Sequence, residues 1–384
     1  MATVTWKMNA DPIDRGIAKY CAGEPVGKDL ARALRDRIFV RTLLRQGGKR
    51  GKLANIVNMS RSARAPIGRI MRFVSVATYP YREVFAEEET LTGHTSYVHC
   101  VSPLDGGRHV SGSGDKTLIV WSPSDEASQT LTSHTSEVYC VAPLDSRHFV
   151  SGSDDSTLIV WAAGDDGVFT VAQTLTGHTN PVTCVAPLDG ERFVSGSRDT
   201  TLIVWAPSDG GAFVASQTLT SHTSKVHCVA PLDNRHFVSG SYDSTLIVWA
   251  ASDGGSFAAA QKLAGHTEAV SCVARLDDGR FVSGSWDSTL IVWAPSEDGG
   301  AFAAAQTLIG HVSYVECVAP LDGGRIVSGG MYCTLIVWAP SDGGTFAAAQ
   351  TLTDAHTYGV YCVTQLDDRR IASGSADKML KLWG

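Results

Sequence analysis

The sequence predicts an all-β protein, a seven-bladed β-propeller of four-stranded antiparallel blades that follows a basic N-terminal extension. Seven histidines are each followed by a tryptophan 27 residues later, and successive tryptophans are 40, 44, 44, 44, 45 and 45 residues apart. A period of about 40–45 residues with a Gly-His start and a Trp end is typical of a propeller blade. The seven pairs are His94–Trp121, His134–Trp161, His178–Trp205, His222–Trp249, His266–Trp293, His311–Trp338 and His356–Trp383.

Composition and charge divide the chain into two segments. Of the 384 residues, 43% are hydrophobic, which is enough for a large buried core. Residues 1–83 contain 17 Lys/Arg and 6 Asp/Glu, a net charge of +11, whereas residues 84–384 contain 15 and 33, a net charge of −18. This contrast predicts a basic extension over 1–83 and the propeller over 84–384. Asp29–Gln46, ended by Gly47-Gly48, is the best helix candidate in the extension, which we expect to be partly helical or disordered.

The third repeat illustrates how a blade is built. Gln173–Thr176, Val182–Ala186, Arg192–Ser197 and Thr201–Trp205 are rich in Val, Ile, Leu, Phe and Thr and are bounded by Gly, Asp, Ser and Pro, which predicts four strands. The tight turn Arg198-Asp199-Thr200 joins the last two, because Asp tolerates left-handed conformations and hydrogen-bonds locally.

At these positions residues 84–384 resemble the WD-repeat β-propeller family, and seven repeats make the resemblance specific. The resemblance implies that each blade contains a buried network of the turn Asp, the His of the Gly-His loop, a Ser of the second strand and the Trp of the third strand. Such a network satisfies polar groups that are costly to bury and fixes the register of the blade. Besides the His and Trp pairs given above, the matching acids are Asp115, Asp155, Asp199, Asp243, Asp287 and Asp377, and the serines are Ser111, Ser151, Ser195, Ser239, Ser283, Ser328 and Ser373.

Three local departures from the repeat carry structural expectations. Tyr332 stands at the turn Asp position of the sixth blade, so either its hydroxyl replaces the acid or this blade is the least stable. Asp354-Ala355-His356 has one residue more than the usual Thr-Gly-His. No outer strand follows Trp383, so Glu88–Thr92 is expected to complete the last blade and remove the exposed sheet edges.

Three positions vary among the otherwise similar repeats, and we expect them to lie in loops that open onto one face around the channel. The pre-turn position directly precedes the turn Asp or Tyr332: Gly114, Asp154, Arg198, Tyr242, Trp286, Met331 and Ala376. The loop position lies three residues after each His: Tyr97, Glu137, Pro181, Lys225, Ala269, Tyr314 and Gly359. The inner position lies five residues after each His: His99, Tyr139, Thr183, His227, Ser271, Glu316 and Tyr361.

This variation predicts a partner-binding surface. An exposed Trp286, with Tyr242 and Arg198 on the two preceding blades, has the residue types that dominate interface energetics. Neutral drift is the alternative, but drift favours small polar residues over Trp, Tyr and Met. In related WD-repeat proteins this face is the usual docking surface. We therefore predict that proteins or peptides bind at Tyr97, Glu137, Asp154, Arg198, Lys225, Tyr242, Trp286, Tyr314 and Met331.

The sequence offers no catalytic, cofactor or metal site. Ser, His and Asp recur in equivalent copies, whereas a nucleophile needs one exposed site with an oxyanion hole. No phosphate-binding loop, HExxH, EF-hand or CxxC pattern occurs. Seven cysteines, each six residues after a repeat His, are expected to be buried, free and spread around the ring: Cys100, Cys140, Cys184, Cys228, Cys272, Cys317 and Cys362.

The expected location is a reducing compartment, cytoplasmic or nuclear. No apolar run approaches the roughly 20 residues that span a bilayer, and residues 1–12 have no secretory core. Organellar import is the alternative, because residues 1–83 are rich in arginine.

These observations predict a non-catalytic scaffold that displays variable loops on a rigid frame. Two alternatives remain open. Related propellers recognise ubiquitin or degradation substrates, which favours an adaptor in the ubiquitin pathway, although residues 1–83 contain no F-box-like segment. An RNA-associated factor could use the basic arm, whereas the net charge of −18 argues against nucleic-acid binding by the propeller itself. The arm could equally fold against the acidic propeller, contact a membrane or act as a targeting signal.

Overall fold

The computed structural model describes residues 85–189, 191–296, 301–341, 344–367 and 369–384. These residues form seven four-stranded antiparallel sheets, which confirms the predicted seven-bladed β-propeller. A 3₁₀ turn at Asp105–Gly107 is the helical element of the described part of the chain. The extension over 1–83, with its expected helix Asp29–Gln46, lies outside the described residues.

Each blade runs from an innermost to an outermost strand. The innermost strands are β2 (Val98–Pro103), β6 (Val138–Pro143), β10 (Val182–Pro187), β14 (Val226–Pro231), β18 (Val270–Arg275), β22 (Val315–Leu321) and β26 (Val360–Gln365). The second strands are β3 (His109–Ser113), β7 (His148–Ser153), β11 (Phe193–Ser197), β15 (His236–Ser241), β19 (Phe281–Ser285), β23 (Arg325–Gly330) and β27 (Ile371–Ser375). The third strands are β4 (Leu118–Trp121), β8 (Leu158–Ala163), β12 (Leu202–Pro207), β16 (Thr245–Ala251), β20 (Thr289–Pro295), β24 (Thr334–Pro340) and β28 (Leu380–Trp383). The outermost strands are β5 (Ala127–Leu131), β9 (Phe169–Leu175), β13 (Phe213–Leu219), β17 (Phe257–Ala264), β21 (Phe302–Ile309), β25 (Phe346–Leu352) and β1 (Glu87–Leu91).

Blades 1 to 6 are consecutive groups of four strands from β2 to β25, and blade 7 combines β26–β28 with β1. The sequence repeat is therefore offset from the blade. The outer strand predicted at Gln173–Thr176 belongs to blade 2, and it begins four residues earlier, at Phe169. The strand begins this early because Phe169 pairs with Ala163, so the hydrogen-bonded ladder between the third and outermost strands continues past Trp161.

Closure of the ring confirms the pairing predicted between its two ends. Strand β1 pairs antiparallel with β28, with Glu87 opposite Trp383 and Leu91 opposite Leu380. The amide of Ala86 donates to the carbonyl of Gly384 at 3.1 Å, and the amide of Gly384 donates back to Ala86 at 3.1 Å. Each described blade therefore has its four strands, and the seventh depends on residues almost 300 positions apart.

The hydrophobic core lies between neighbouring blades and is divided into seven clusters. The cluster between blades 2 and 3, for example, joins Val150 and Val160 of blade 2 to Phe193 and Trp205 of blade 3. Close packing in the next cluster, between blades 3 and 4, explains a glycine in the second strand. A Cβ on Gly196 would lie 2.6 Å from Cys184 Sγ and 2.7 Å from Val226 Cγ1 of the next blade, so only glycine fits between the two innermost strands.

Side-chain amides connect the outermost strands in a way that the sequence did not predict. Gln173 Nε2 donates to the carbonyl of Phe213 on the next blade at 2.7 Å, and the amide of Phe213 donates to Gln173 Oε1 at 2.8 Å. The same two-bond clamp recurs at Gln129–Phe169, Gln217–Phe257, Gln261–Phe302, Gln306–Phe346 and Gln350–Phe85. These clamps satisfy backbone groups at the strand edge and hold adjacent blades at a fixed spacing.

Candidate partner-binding face

A buried polar network supports the loops of this face. In blade 3, Trp205 Nε1 donates to Ser195 Oγ at 2.9 Å, and Ser195 Oγ lies 2.8 Å from His178 Nε2. Because an indole N–H can only donate, the serine hydroxyl is free to donate to the imidazole. His178 Nδ1 then donates to Asp199 Oδ2 at 2.9 Å. The amide of Thr179 donates to the same carboxylate at 3.0 Å, which joins the Gly-His loop to the tight turn.

The arrangement recurs in blades 1, 2, 4, 5 and 7, with His–Asp distances of 2.8 to 3.1 Å. Burial alone raises the pKa of Asp199, but hydrogen bonds from Thr201 and from the Thr179 amide bring it below its ordinary value. Burial lowers the pKa of His178, and the Asp199 carboxylate opposes this shift. The network is therefore a neutral imidazole held against an ionised carboxylate at neutral pH.

The geometry of this network suits folding rather than catalysis. Ser195 has no exposed surface, and the equivalent serines of the other six blades have none either. A substrate cannot reach a hydroxyl that is enclosed in the blade and already bonded on both sides. The network instead fixes the tight turn and the Gly-His loop relative to the strands.

Blade 6 keeps only the inner half of the network. Trp338 Nε1 donates to Ser328 Oγ at 2.8 Å, and Ser328 lies 2.7 Å from His311 Nε2. Tyr332 is 65% exposed, and within the described residues its hydroxyl makes no bond to His311, so it does not replace the acid. Burial lowers the pKa of His311 to about 4 without an opposing carboxylate. Of the two expectations for this blade, substitution by the phenol is wrong.

The turn itself is nevertheless intact. Cys333 has a positive φ of 57°, as the residue after the turn Asp has in the other six blades. The inserted segment of blade 7 contacts this turn, because the amide of Ala355 donates to the carbonyl of Cys333 at 2.9 Å. The backbone of blade 6 therefore presents its turn at the same place as its neighbours.

Seven backbone hydrogen bonds bring the pre-turn and loop positions together on one face, which we term the loop face. In each blade the pre-turn amide donates to the carbonyl of the loop residue, at 2.8 to 3.0 Å. The pairs are Gly114–Tyr97, Asp154–Glu137, Arg198–Pro181, Tyr242–Lys225, Trp286–Ala269, Met331–Tyr314 and Ala376–Gly359. Residues that are 17 positions apart in sequence thus form adjacent points on a rigid surface.

The side chains predicted to bind partners differ in accessibility. Tyr97, Lys225, Arg198, Tyr314 and Met331 are exposed, Tyr97 by 47% and Tyr314 by 45%. Glu137, Asp154 and Tyr242 are half-buried. Asp154 accepts hydrogen bonds from Ser136 Oγ at 3.0 Å and from the Tyr139 hydroxyl at 3.3 Å, which fixes its orientation.

Trp286 is not the freely exposed side chain that the sequence predicted. It is half-buried, because its ring packs edge-on against Tyr242 at 4.7 Å and stacks on Tyr314 at 5.0 Å between ring centroids. Both partners come from neighbouring blades, so repeat position alone could not reveal them. Its Nε1 is buried and lies beside the Glu316 carboxyl.

The inner positions are also placed differently from the prediction. They are not in loops but form the second residue of each innermost strand, where neighbouring blades meet. Thr183 Oγ1 donates to the carbonyl of Val226 on the next blade at 2.6 Å, and Ser271 Oγ donates to the carbonyl of Val315. His227 Nδ1 lies 2.9 Å from the carbonyl of Ser271. These positions therefore tie the wall of the channel together beneath the loop face.

Glu316 is the one acidic residue among the seven inner positions. Burial raises its pKa to about 7, and only the neighbouring Trp286 indole favours its ionised form. No Lys, Arg or His of the described residues forms an ion pair with it. The same carboxyl raises the pKa of Tyr242 and of Tyr361, in addition to the effect of burial on each. An uncompensated carboxyl thus lies among three aromatic residues at the channel mouth.

A second aromatic cluster lies across blades 7, 1 and 2. His99 contacts Tyr139 and Tyr361 with ring centroids 5.0 and 5.5 Å apart, and Tyr97 lies 6.2 Å from Tyr361. The guanidinium of Arg198 lies 4.9 Å from the centre of the Tyr139 ring, which is a cation–π contact. His99 Nε2 is 3.4 Å from a Glu137 oxygen, so here the acid has a neighbouring base, unlike Glu316.

The prediction from sequence missed an apolar group on this face. Ile309, Val312 and Tyr358 are 79%, 79% and 64% exposed. Ile309 and Val312 precede Tyr314 in the chain, and Gly359, which follows Tyr358, lies against Met331. Val312 occupies the position that is Thr in each of the other repeats, directly after the His. The change from Thr to Val at this position is visible in the sequence, but the prediction of a binding surface did not include it.

The described residues contain no group of three or more His, Cys, Asp or Glu side chains placed to hold a metal ion. In the same part of the chain, no helix has the length and hydropathy to cross a lipid bilayer. All eight cysteines described are free, and the seven repeat cysteines among them are buried.

The fold and this face define a class: closed propellers built from a Gly-His to Trp repeat that display loops on one rigid surface. The family model described as WD domain, G-beta repeat, matches residues 86–122, 126–162, 169–206, 213–250, 258–294, 303–339 and 348–384. The chain therefore belongs to the WD-repeat family, whose propellers generally serve as protein-interaction scaffolds and are typically not enzymes. No curated protein matches the sequence significantly.

Proposed function

We propose that this chain is a non-catalytic scaffold that binds protein or peptide partners through the loop face. The observation that carries the proposal is the series of seven backbone bonds between pre-turn and loop residues. They hold chemically different side chains, from Arg198 to Trp286, at fixed relative positions. Because these loops are already ordered, little conformational entropy is lost when a partner binds.

The composition of the face supports the same proposal. Tyr, Trp and Arg are the residue types most often found at interface hot spots, and they are concentrated here on otherwise repetitive blades. The propeller carries a net charge of −18 over residues 84–384, which favours partners with basic surfaces over nucleic acid. Its buried, unpaired thiols suit a reducing compartment, and we propose a cytoplasmic or nuclear location.

The test is quantitative affinity enrichment from native lysate with the full chain as bait. One variant carries Tyr97→Ala, Arg198→Ala and Tyr314→Ala on the loop face. The matched control carries Val171→Ala and Val214→Ala, which are 43% and 48% exposed on outermost strands. The proposal predicts that partners are lost with the first variant and retained with the second. Equal retention by both variants would refute it.

A further inference from the structure

The strongest unexplained feature of the loop face is the set of coordinated changes in blade 6. Where the other repeats have Thr, Ser and Asp, this blade has Val312, Gly330 and Tyr332. The His311 ring occupies the space freed at Gly330, since a Cβ there would lie 2.6 Å from Nδ1. The outer half of the polar network has thus been replaced as a unit, while the inner half and the backbone of the turn are retained.

These changes remove the outer half of the polar network, and they also place apolar side chains on the surface. Ten large apolar side chains are exposed among the described residues, and six of them lie on the loops of blade 6 or on the segments that flank it. We term these six the blade 6 patch: Ile309, Val312, Tyr314, Met331, Tyr332 and Tyr358. The remaining four lie on blade 1, on the outermost strands of blades 2 and 3, and in the turn before the outermost strand of blade 2, so the concentration of exposed apolar side chains at blade 6 requires an explanation.

The blade 6 patch is connected to the Glu316 carboxyl through Tyr314 and Trp286. The amide of Met331 donates to the carbonyl of Tyr314 at 2.9 Å, and Tyr314 stacks on Trp286. Trp286 in turn neighbours Glu316. Tyr314 therefore lies between the exposed apolar surface and a half-buried group that we term the Glu316 recess: the Glu316 carboxyl, the Trp286 indole beside it and the Tyr242 ring.

The chemistry of this recess selects a cation. Glu316 is half-buried and forms no ion pair within the described residues, so an ammonium or guanidinium group that contacts it would neutralise a poorly solvated charge. Aromatic faces attract the same groups, and Lys225 already shows the interaction at the rim, with its Nζ 5.3 Å from the centre of the Tyr242 ring. In the second aromatic cluster the acid, Glu137, already has the His99 imidazole beside it, so that cluster does not need a cation from a partner.

We propose that the blade 6 patch and the adjoining Glu316 recess form one site for an extended peptide segment of a partner protein. The segment presents a Lys or Arg, which enters the recess, next to an apolar side chain, which packs on Ile309, Val312 and Met331. The inference rests on the proposed scaffold function and names the partner chemistry for one part of the loop face.

The test is selection of a random displayed peptide library on the intact full-length protein, followed by affinity measurement with synthetic copies of the selected peptides. The inference predicts enrichment of a basic residue beside an apolar one. Replacing Lys by norleucine or Arg by citrulline should weaken binding by about tenfold or more, since both the charge pair and the cation–π contact are lost. Selection of acidic peptides, or of none, would overturn the inference.

Two variants and two controls locate the site. Glu316→Gln removes the charge at constant shape, and the double variant Val312→Thr with Tyr332→Asp restores the polar residues of the other blades. Each variant should lower the affinity for the selected peptides by about tenfold. Glu126→Gln, at an exposed position next to an outermost strand, and Val214→Ala should leave their affinity unchanged. Thermal unfolding of the double variant, which restores interactions present in six blades, shows whether it is folded.

The outcomes distinguish this inference from the proposed function. If peptides or lysate partners depend on Tyr97 and Arg198 but not on Glu316 or Val312, the scaffold function stands and the blade 6 site is wrong. If binding depends instead on the substituted residues of the outermost strands, both the scaffold function and the blade 6 site are wrong. Synthetic peptides that cover residues 1–83 are included as a separate arm, because that segment is basic as well. Binding of those peptides alone would make the occupant this chain itself and overturn the assignment to a partner.

Discussion

Tyr314 stacks on Trp286 with ring planes 16° from parallel, although the two residues belong to different blades. The contact links the loop of blade 6 to the tight turn of blade 5. Together with the edge-on packing of Trp286 on Tyr242, it extends a single aromatic row over three blades. The loop face is therefore connected laterally by side chains as well as supported from below by the buried networks.

This aromatic row makes Trp286 a structural residue as well as a candidate contact residue. We expect Trp286→Ala to lower the free energy of unfolding by about 1–3 kcal/mol, because two aromatic contacts and a half-buried side chain are lost. Urea unfolding measures the change. Val214→Ala, at an exposed position on an outermost strand, should alter stability by about 0.5 kcal/mol or less. An equally small effect for Trp286→Ala would mean that the ring is not packed as described.

The buried networks predict a difference between blades 3 and 6. Asp199→Ala should cost about 1–3 kcal/mol of unfolding free energy, because His178 and the Thr179 amide lose their acceptor. Tyr332→Ala should cost about 0.5 kcal/mol or less, since the tyrosine is exposed and makes no bond to His311 within the described residues. Chemical unfolding of both variants checks this order, and equal losses would show that Tyr332 supports its blade.

Restoring the missing residues of blade 6 should stabilise the protein. In the variant Val312→Thr with Tyr332→Asp, the new carboxylate can accept from His311 Nδ1 and from the amide of residue 312, as in the other blades. We expect a gain of about 1 kcal/mol, seen as a higher midpoint of thermal unfolding. A lower midpoint would indicate that Gly330 and the displaced His311 ring prevent the network from forming.

The raised pKa of Glu316 predicts a pH-dependent stability. Its folded-state pKa of about 7 lies above its ordinary value of 4.5, so the folded protein holds this proton more tightly than the unfolded chain does. Stability from this group is thus lost as pH rises from about 4.5 to 7. Glu316→Gln should be more stable than the parent at pH 8, by about 1–3 kcal/mol, and nearly equal to it at pH 4.5.

Glu87→Gln provides a control of opposite sign for this pH profile. The hydrogen bond from Lys381 lowers the pKa of Glu87, so its contribution is favourable above its ordinary pKa and is lost in acid. Unfolding curves of both variants from acid, well below pH 4.5, up to pH 8 give the comparison. A Glu316→Gln difference that is independent of pH would show that the carboxyl is not held in a protonation-sensitive environment.

Close packing between blades predicts that one glycine cannot be replaced. Gly196→Ala should cost about 1–3 kcal/mol or more of unfolding free energy, because the new methyl group meets Cys184 Sγ and Val226 Cγ1. Gly210→Ala is the matched control, since nothing lies within 4 Å of a Cβ there. Circular dichroism melting of the two proteins tests the prediction, which fails if the two glycines tolerate alanine equally.

The sequence predicted the features that depend on repeat position alone. The 27-residue spacing of His178 and Trp205 indicated the blade, and the missing outer strand after Trp383 indicated pairing with the segment near Leu91. It could not predict features that depend on neighbouring blades. Trp286 is half-buried because of Tyr242 and Tyr314. Glu316 lacks a counter-ion because the groups near it are the aromatic residues Trp286, Tyr242 and Tyr361.

The most direct test of the central claim is site-specific photo-crosslinking in native lysate. p-Benzoylphenylalanine is placed at Tyr314 on the loop face or at Val214 on an outermost strand, positions that are 45% and 48% exposed. The scaffold account predicts discrete crosslinked partners from position 314 and none above background from position 214. Crosslinks from position 214 alone, or the same partners from both positions, would contradict it.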